Sequence, residues 1–154
     1  MSFAKHDVAA HIREAFRGVT LGNGVGLLEG QALDDYADQA TREAYREQDE
    51  KDDWQHIPLG ALNRCHSSLS FFDAEGMRFH LPAFLLAELN GDLAVSVVYH
   101  LSEVPAYSEN QLVALSVEQR KAVRKFLLLV RDMPDYEFER PHIERALLDY
   151  WLSE

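Results

Sequence analysis

The segment PAFLLAELNG, residues 82–91, carries the clearest helical pattern of the chain. All but one of the residues from Ala83 to Leu89 are apolar, so a helix formed by them belongs at the centre of a core. Pro82 suits the first turn of that helix, because its ring fixes φ at a helical value and proline has no N–H to leave unpaired there. Asn90 and Gly91 are typical of a helix C-terminus. We therefore predict a central helix over Ala83 to Leu89.

Helical patterns extend from this segment toward both ends of the chain. The predicted elements are a helix over Asp7 to Phe16, a helix over Gln31 to Glu47, a short helix after Pro58, a short turn from Asp73 to Met77, a helix after the capping box of Ser116 and Gln119 with its apolar stripe ending at Val130, and a last helix from Pro141. Together they predict an all-α fold. We expect one irregular helical domain of six or seven helices over residues 1–154, with one minor strand pair left open.

Residues 93–101 carry two conflicting patterns. The β-branched and aromatic residues within 95–99 favour a strand. The spacing of Leu93, Val97 and Leu101 instead fits a helix capped by Asp92. We prefer the helix, because no neighbouring segment offers a hairpin partner.

Composition limits the compartment and the class of partner. The chain has 154 residues, one cysteine and a formal net charge of −11. A single cysteine cannot form an internal disulfide. No apolar run approaches the ~20 residues that span a bilayer. The N-terminus lacks the pattern of a signal peptide. We expect a soluble, cytoplasmic protein that binds neither nucleic acid nor membrane, since both need a basic face.

None of the patterns associated with catalysis is complete. Five glycines over residues 18–30 predict a flexible loop, but the loop lacks the Lys-Ser/Thr of a phosphate-binding loop. Cys65 and His66 are adjacent, and adjacent side chains on a helix diverge. Seven histidines include no His-x-x-x-His pair, and Glu139-x-x-His142 stands alone where a di-metal site needs two such motifs. We predict no metal, no cofactor and no catalytic residues.

The strongest signal outside the core is an acidic belt, residues 29–53. It contains ten acidic and three basic residues, a local charge of −7. A basic stripe follows Ser116, in which Arg120 with Arg124 and Lys121 with Lys125 are like-charge pairs four residues apart; such pairs are unfavourable unless opposite charge lies nearby. The candidate partner-binding residues are Asp34, Asp35, Asp38, Asp49, Glu50, Asp52 and Asp53.

One segment resembles a known family. The run LSFFDAEGMRFHLPAFL, residues 69–85, together with the later capped helix, resembles an uncharacterised bacterial family of small domains that share an aromatic-x-Leu-Pro-Ala-Phe segment. The resemblance implies a bacterial, cytoplasmic protein. It implies no activity, so no catalytic residue can be transferred.

The amino-acid sequence leaves three functions open. The preferred hypothesis is a non-catalytic, acidic protein-interaction domain that neutralises or escorts a basic protein, because complementary charge speeds association. The first alternative is a structural or assembly subunit that forms a homo-oligomer. The second is a small enzyme with a site near Arg78 and His80.

Overall fold

A computed structural model of the chain describes residues 4–103 and 109–152. Within these ranges the structure contains nine α-helices and no strand, so the predicted all-α fold is confirmed and the predicted count of six or seven helices is somewhat low. The helices are α1 (Lys5–Ala15), α2 (Leu27–Asp34), α3 (Gln39–Gln48), α4 (Leu59–Arg64), α5 (Ala74–Leu89), α6 (Val98–Ser102), α7 (Glu109–Leu112), α8 (Val117–Arg131) and α9 (Arg140–Ala146). Short 3₁₀ turns cover Trp54–His56, His66–Ser70 and Pro134–Tyr136, and a π-helical turn covers Leu147–Trp151.

Helix α5 is the central helix, and it is longer than predicted. It begins at Ala74, where the Asp73 carboxylate accepts a hydrogen bond from the Gly76 N–H at 2.9 Å, and continues through Pro82 without interruption. The predicted start at Pro82 and the separate turn ending at Met77 are therefore wrong. Proline removes only one backbone hydrogen bond, and burial on both sides of it holds the helix together. The predicted end is confirmed: Gly91 has φ 74°, a conformation that favours glycine.

The predicted helix over Gln31 to Glu47 is divided into α2 and α3. Helix α2 ends in a Schellman motif, in which the N–H of Ala37 bonds to the Ala32 carbonyl at 3.0 Å and the N–H of Tyr36 to the Leu33 carbonyl at 3.2 Å. Asp38 then caps α3 by accepting from the Thr41 N–H at 2.8 Å. Helices α2 and α3 pack against each other.

Residues 93–101 form neither of the predicted alternatives over their full length. Asp92 does not cap a helix there; an irregular segment precedes the short helix α6. The Glu88 carboxylate of α5 holds this segment by accepting from the Val97 N–H at 2.7 Å and the Ser96 hydroxyl at 2.9 Å. It also accepts from the Tyr136 hydroxyl at 2.6 Å, and burial together with that bond raises the pKa of Tyr136.

Helix α8 has the predicted capping box of Ser116 and Gln119. Two members of its basic stripe bind carbonyls of the terminal π-helical turn: Arg120 donates to the Tyr150 carbonyl at 3.1 Å and Arg124 to the Trp151 carbonyl at 2.7 Å. The end of a helix carries partial negative charge, so these contacts offset the like-charge repulsion within the stripe. The stripe therefore has a structural role at the C-terminal turn.

The glycine-rich segment is a loop up to Gly26, as predicted, but residues 27–30 belong to α2, so the predicted loop is too long and the helix predicted from Gln31 begins earlier, at Leu27. The loop is held against the first turn of α5. The Val25 N–H donates to the Asp73 carboxylate at 3.0 Å, and the Asn23 N–H donates to the Glu75 carboxylate at 3.3 Å. Within the described ranges, no helix has the length and apolar character needed to cross a membrane.

Candidate functional site

The acidic belt contains two kinds of carboxylate. One kind organises the backbone: Asp53 accepts from the Gln55 N–H at 2.9 Å, and Glu50 accepts from the N–H groups of Asp52 and Asp53, both at 3.1 Å. Asp38, the cap of α3, belongs to the same kind. Such carboxylates end turns and begin helices, so removing one changes the fold as well as the surface charge.

Asp49 is the most deeply placed carboxylate of the belt and is only 8% exposed. Its Oδ1 accepts from the Leu28 N–H at 2.7 Å and its Oδ2 from the Glu29 N–H at 3.2 Å, which satisfies two unpaired donors at the start of α2. Gly26 permits this approach, because a Cβ at that position would lie 2.0 Å from the Asp49 carboxylate. Burial raises the pKa of Asp49, and the two backbone hydrogen bonds oppose that shift. Asp49 therefore differs from the exposed charge that the sequence suggests.

A second group of carboxylates is adjacent to Tyr36 in the sequence, at a surface that we name the acidic corner, residues 34–38; Asp38 belongs to both groups. Asp35 and Asp38 are exposed and Asp34 is half-buried. Hydrogen bonding to Thr41 lowers the pKa of Asp38 below its usual range, so this carboxylate stays charged at neutral pH. The corner thus carries three carboxylates within two residues of Tyr36 in the sequence.

Tyr36 is unusual in both exposure and backbone conformation. Its side chain is 96% exposed, and its φ is 57°, the only left-handed φ at a non-glycine residue among those described. The position that follows the last turn of a helix in a Schellman motif normally holds glycine, because a side chain there costs about 1–2 kcal/mol. The chain therefore presents a large aromatic ring to solvent at a position where glycine would be more stable.

A cavity of about 330 Å³ lies between the acidic belt and the central helix. Its volume falls within the range of small-molecule sites. Apolar side chains form much of its wall, and five ionisable side chains also line it. The lining residues are Leu27, Leu28, Gln48, Asp49, Glu50, His56, Ile57, Pro58, Ala61, Arg64 and His80.

His80 is the most buried residue that lines the cavity, with no exposed surface. Its ring stacks on Phe72 with centroids 4.3 Å apart, and its Nδ1 lies 2.7 Å from the Gly76 carbonyl. Burial lowers the pKa of His80 to about 4, so the ring is neutral at pH 7. Because the carbonyl requires a proton on Nδ1, Nε2 has a lone pair, and Nε2 has no hydrogen-bond partner among the described residues.

The other residues considered as catalytic or metal-binding candidates do not form a site together with His80. Arg78 is not among the residues that line the cavity with His80. Cys65 is buried, and burial raises the pKa of its thiol, which disfavours the nucleophilic thiolate. Across residues 4–103 and 109–152, no three His, Cys, Asp or Glu side chains converge in a group that could hold a metal ion. Sequence reasoning missed the cavity, because Asp49 and His80 are 31 positions apart and no local pattern connects them.

Comparison with known proteins places the chain among proteins without an assigned role. The model of a family of unknown function, DUF6714, matches residues 4–154. No curated protein and no solved structure matches the chain significantly. The expectation of an uncharacterised family is thus confirmed, whereas bacterial origin and the shared aromatic-x-Leu-Pro-Ala-Phe segment stay predictions.

Proposed function

The chain belongs to this family of unknown function, and from that premise we propose that it is a non-catalytic protein-interaction domain whose acidic corner binds a basic protein. In this proposal, Tyr36 is the central contact and Asp34, Asp35 and Asp38 surround it. The partner is a protein with a basic face, which this domain neutralises or escorts. The proposal keeps three of the predicted partner-binding residues, Asp34, Asp35 and Asp38, and leaves out the other four, Asp49, Glu50, Asp52 and Asp53.

The observation that supports the proposal most directly is the conformation of Tyr36. A side chain in a left-handed conformation persists only where something compensates for its energy, and such residues concentrate at functional sites. The ring is 96% exposed, so packing within the domain does not compensate for it. Tyrosine is enriched among the residues that dominate protein interfaces, because its ring buries a large area and its hydroxyl can still form a hydrogen bond.

The charge around Tyr36 indicates the chemistry of the partner. The acidic belt holds −7 of the net charge of −11. Complementary charge speeds the encounter of two proteins, and at physiological ionic strength only charges within about 8 Å of the interface contribute. A basic surface that meets the corner would be attracted to Asp34, Asp35 and Asp38 while its apolar atoms cover the ring of Tyr36.

The test is site-specific photocrosslinking in the native host. A photoreactive benzoylphenylalanine is placed at position 36, and a matched control is placed at position 138. Phe138 is a suitable control because it is 87% exposed and lies between Glu137 and Glu139. We expect position 36 to capture a protein with a basic surface and position 138 not to capture it.

The captured protein is then purified, and its association rate is measured at two salt concentrations. The double substitution Asp34→Asn and Asp35→Asn removes charge from the corner without removing a cap, so we expect slower association and a weaker salt dependence, with an unchanged melting temperature. An unchanged rate that is also independent of salt would contradict the proposal. Capture of a second copy of this chain at position 36 would support the assembly alternative instead.

A further inference from the structure

We propose that the cavity between the acidic belt and α5 binds a primary ammonium group carried on a small apolar stem. The inference concerns a site separate from the acidic corner, so it does not rest on the proposed protein interaction. It rests on the residues that line the cavity, and above all on His80, which is fully buried, lines the cavity and has an unpartnered Nε2 among the described residues.

His80 supplies a hydrogen-bond acceptor that none of the described residues uses. Its Nδ1 is engaged by the Gly76 carbonyl at 2.7 Å, which fixes the tautomer and leaves a lone pair on Nε2. Nearly all buried polar atoms in proteins have a partner, so an exception needs an explanation such as a ligand or an ordered water. A partner for this atom must donate a hydrogen bond, because neutral Nε2 can only accept one. An N–H group satisfies that requirement and an anion does not.

Two carboxylates favour a cationic donor. Asp49 and Glu50 both line the cavity, and each accepts bonds from backbone N–H groups that leave further lone pairs on its oxygens. Arg64 is the one residue with a permanent positive charge that lines the cavity, and it is exposed, so solvent screens it more strongly than it screens buried Asp49. The charge balance of the lining residues therefore favours a cation.

The rest of the wall indicates an apolar stem. Leu27, Leu28, Ile57, Pro58 and Ala61 line the cavity and offer no polar side-chain group. An ammonium has three N–H donors, which matches in number the unpartnered histidine nitrogen and the two carboxylates of the lining residues. The same chemistry occurs in a free organic amine and in a lysine side chain, so the experiment includes both sources.

The experiment titrates the full-length protein with four benzyl compounds of similar size. Benzylammonium has charge and N–H donors, benzyltrimethylammonium has charge alone, benzyl alcohol has a neutral donor, and benzoate has the opposite charge. Binding is followed by the ¹⁵N signal of His80 Nε2 and by the amide signals of Leu28 and Glu29. We expect benzylammonium to bind most tightly and to shift the Nε2 signal.

A fifth probe, Nα-acetyl-lysine methylamide, distinguishes the two sources of the ammonium group. Tighter binding of this probe than of benzylammonium would identify a lysine side chain as the ligand, and weaker binding would identify a free amine. Both results support the site. The variant Tyr36→Ala should leave the titration unchanged, so failure of the protein-interaction proposal would not affect the result.

Two variants test the cavity itself. Ala61→Leu fills the space without removing a polar group, and we expect it to abolish binding. Asp49→Asn removes the buried charge while keeping one acceptor oxygen, and we expect about tenfold weaker binding. Thermal melts identify any variant that fails to fold. If only one of the two variants folds, its binding affinity alone tests the proposal.

Several outcomes would overturn the proposal. Preferential binding of benzoate would show that Arg64 dominates the site. Equal binding of benzylammonium and benzyltrimethylammonium would show that no N–H donor is needed. An ordered water that contacts His80, detected by its nuclear Overhauser effect and persisting at millimolar amine, would show that water alone occupies the cavity.

Discussion

Helices α5 and α3 differ in how many of their residues are buried. Eleven of the sixteen residues of α5 are buried, whereas none of the ten residues of α3 is. Helix α5 is therefore stabilised by the hydrophobic core, and α3 by its cap and its packing on α2. Substitutions in α5 should therefore lower stability, whereas substitutions at the acidic corner, which precedes α3, should weaken binding.

The largest expected effect is at Phe84, in the middle of α5. Its side chain has no exposed surface, so Phe84→Ala should lower the free energy of unfolding by about 3–5 kcal/mol through lost burial and the cavity left behind. Urea denaturation measures the loss. Tyr45→Ala on α3 is the control and should cost less than about 1 kcal/mol, because Tyr45 is 41% exposed. Similar losses in the two variants would remove the distinction between the helices.

The next effect is the pH dependence that His80 gives to α5. Its pKa is about 4 in the folded protein and about 6.5 when unfolded, so the unfolded chain takes up the proton first. This contribution to stability is complete above pH 6.5 and is lost as the pH falls toward 4. Between pH 7 and pH 5 we expect a loss of about 2 kcal/mol from His80.

The variant His80→Phe isolates that contribution, because phenylalanine can keep the stacking on Phe72 and cannot take up a proton. Urea unfolding followed by tryptophan fluorescence at pH 7 and pH 5 measures both proteins. The variant should lose about 2 kcal/mol less than the parent over this interval. An equal loss would show that His80 does not titrate as its burial requires.

A third effect sharpens the division within the acidic belt. Asp49→Ala removes the acceptor for two N–H groups at the start of α2, so we expect a loss of about 1–2 kcal/mol. Asp52→Ala, three positions away at an exposed residue, should change the stability by less than about 0.5 kcal/mol. Thermal denaturation of both variants tests the division, and equal melting temperatures would argue against it.

The smallest effect has the opposite sign. Tyr36→Gly relieves a left-handed conformation but makes the unfolded chain more flexible, so we expect a net stabilisation of about 0.5–1 kcal/mol. The same change should remove binding to the partner captured at position 36. A variant that is less stable than the parent would mean that the Tyr36 ring stabilises the fold. The conformation of Tyr36 would then no longer support a binding role for the acidic corner.

Much of the fold could be predicted because helix signals are local. The apolar segment before Asn90, the capping box of Ser116 and the short helix after Pro58 each lie within a few residues of the structure they determine. Errors arose where two local signals competed. Pro82 suggested a helix start, but the helix capped by Asp73 had already begun at Ala74, eight residues earlier.

The candidate site could be predicted only in part. The sequence identified the acidic belt and singled out His80, but it could not show that Asp49 is buried or that both residues line one cavity. Nor could it show the conformation of Tyr36, because nothing in the local residues marks a tyrosine as the substitute for glycine at a helix end.

The helical class, the central position of the PAFLLAELNG segment and the concentration of negative charge can be predicted from the amino-acid sequence. These properties follow from composition and from periodicities of a few residues. Which carboxylates are buried, which face solvent and which residues lie beside His80 depend on how the helices pack. Burial depends on segments far apart in sequence packing together, as when the Asp49 carboxylate reaches the N–H groups of Leu28 and Glu29 across 20 residues of chain.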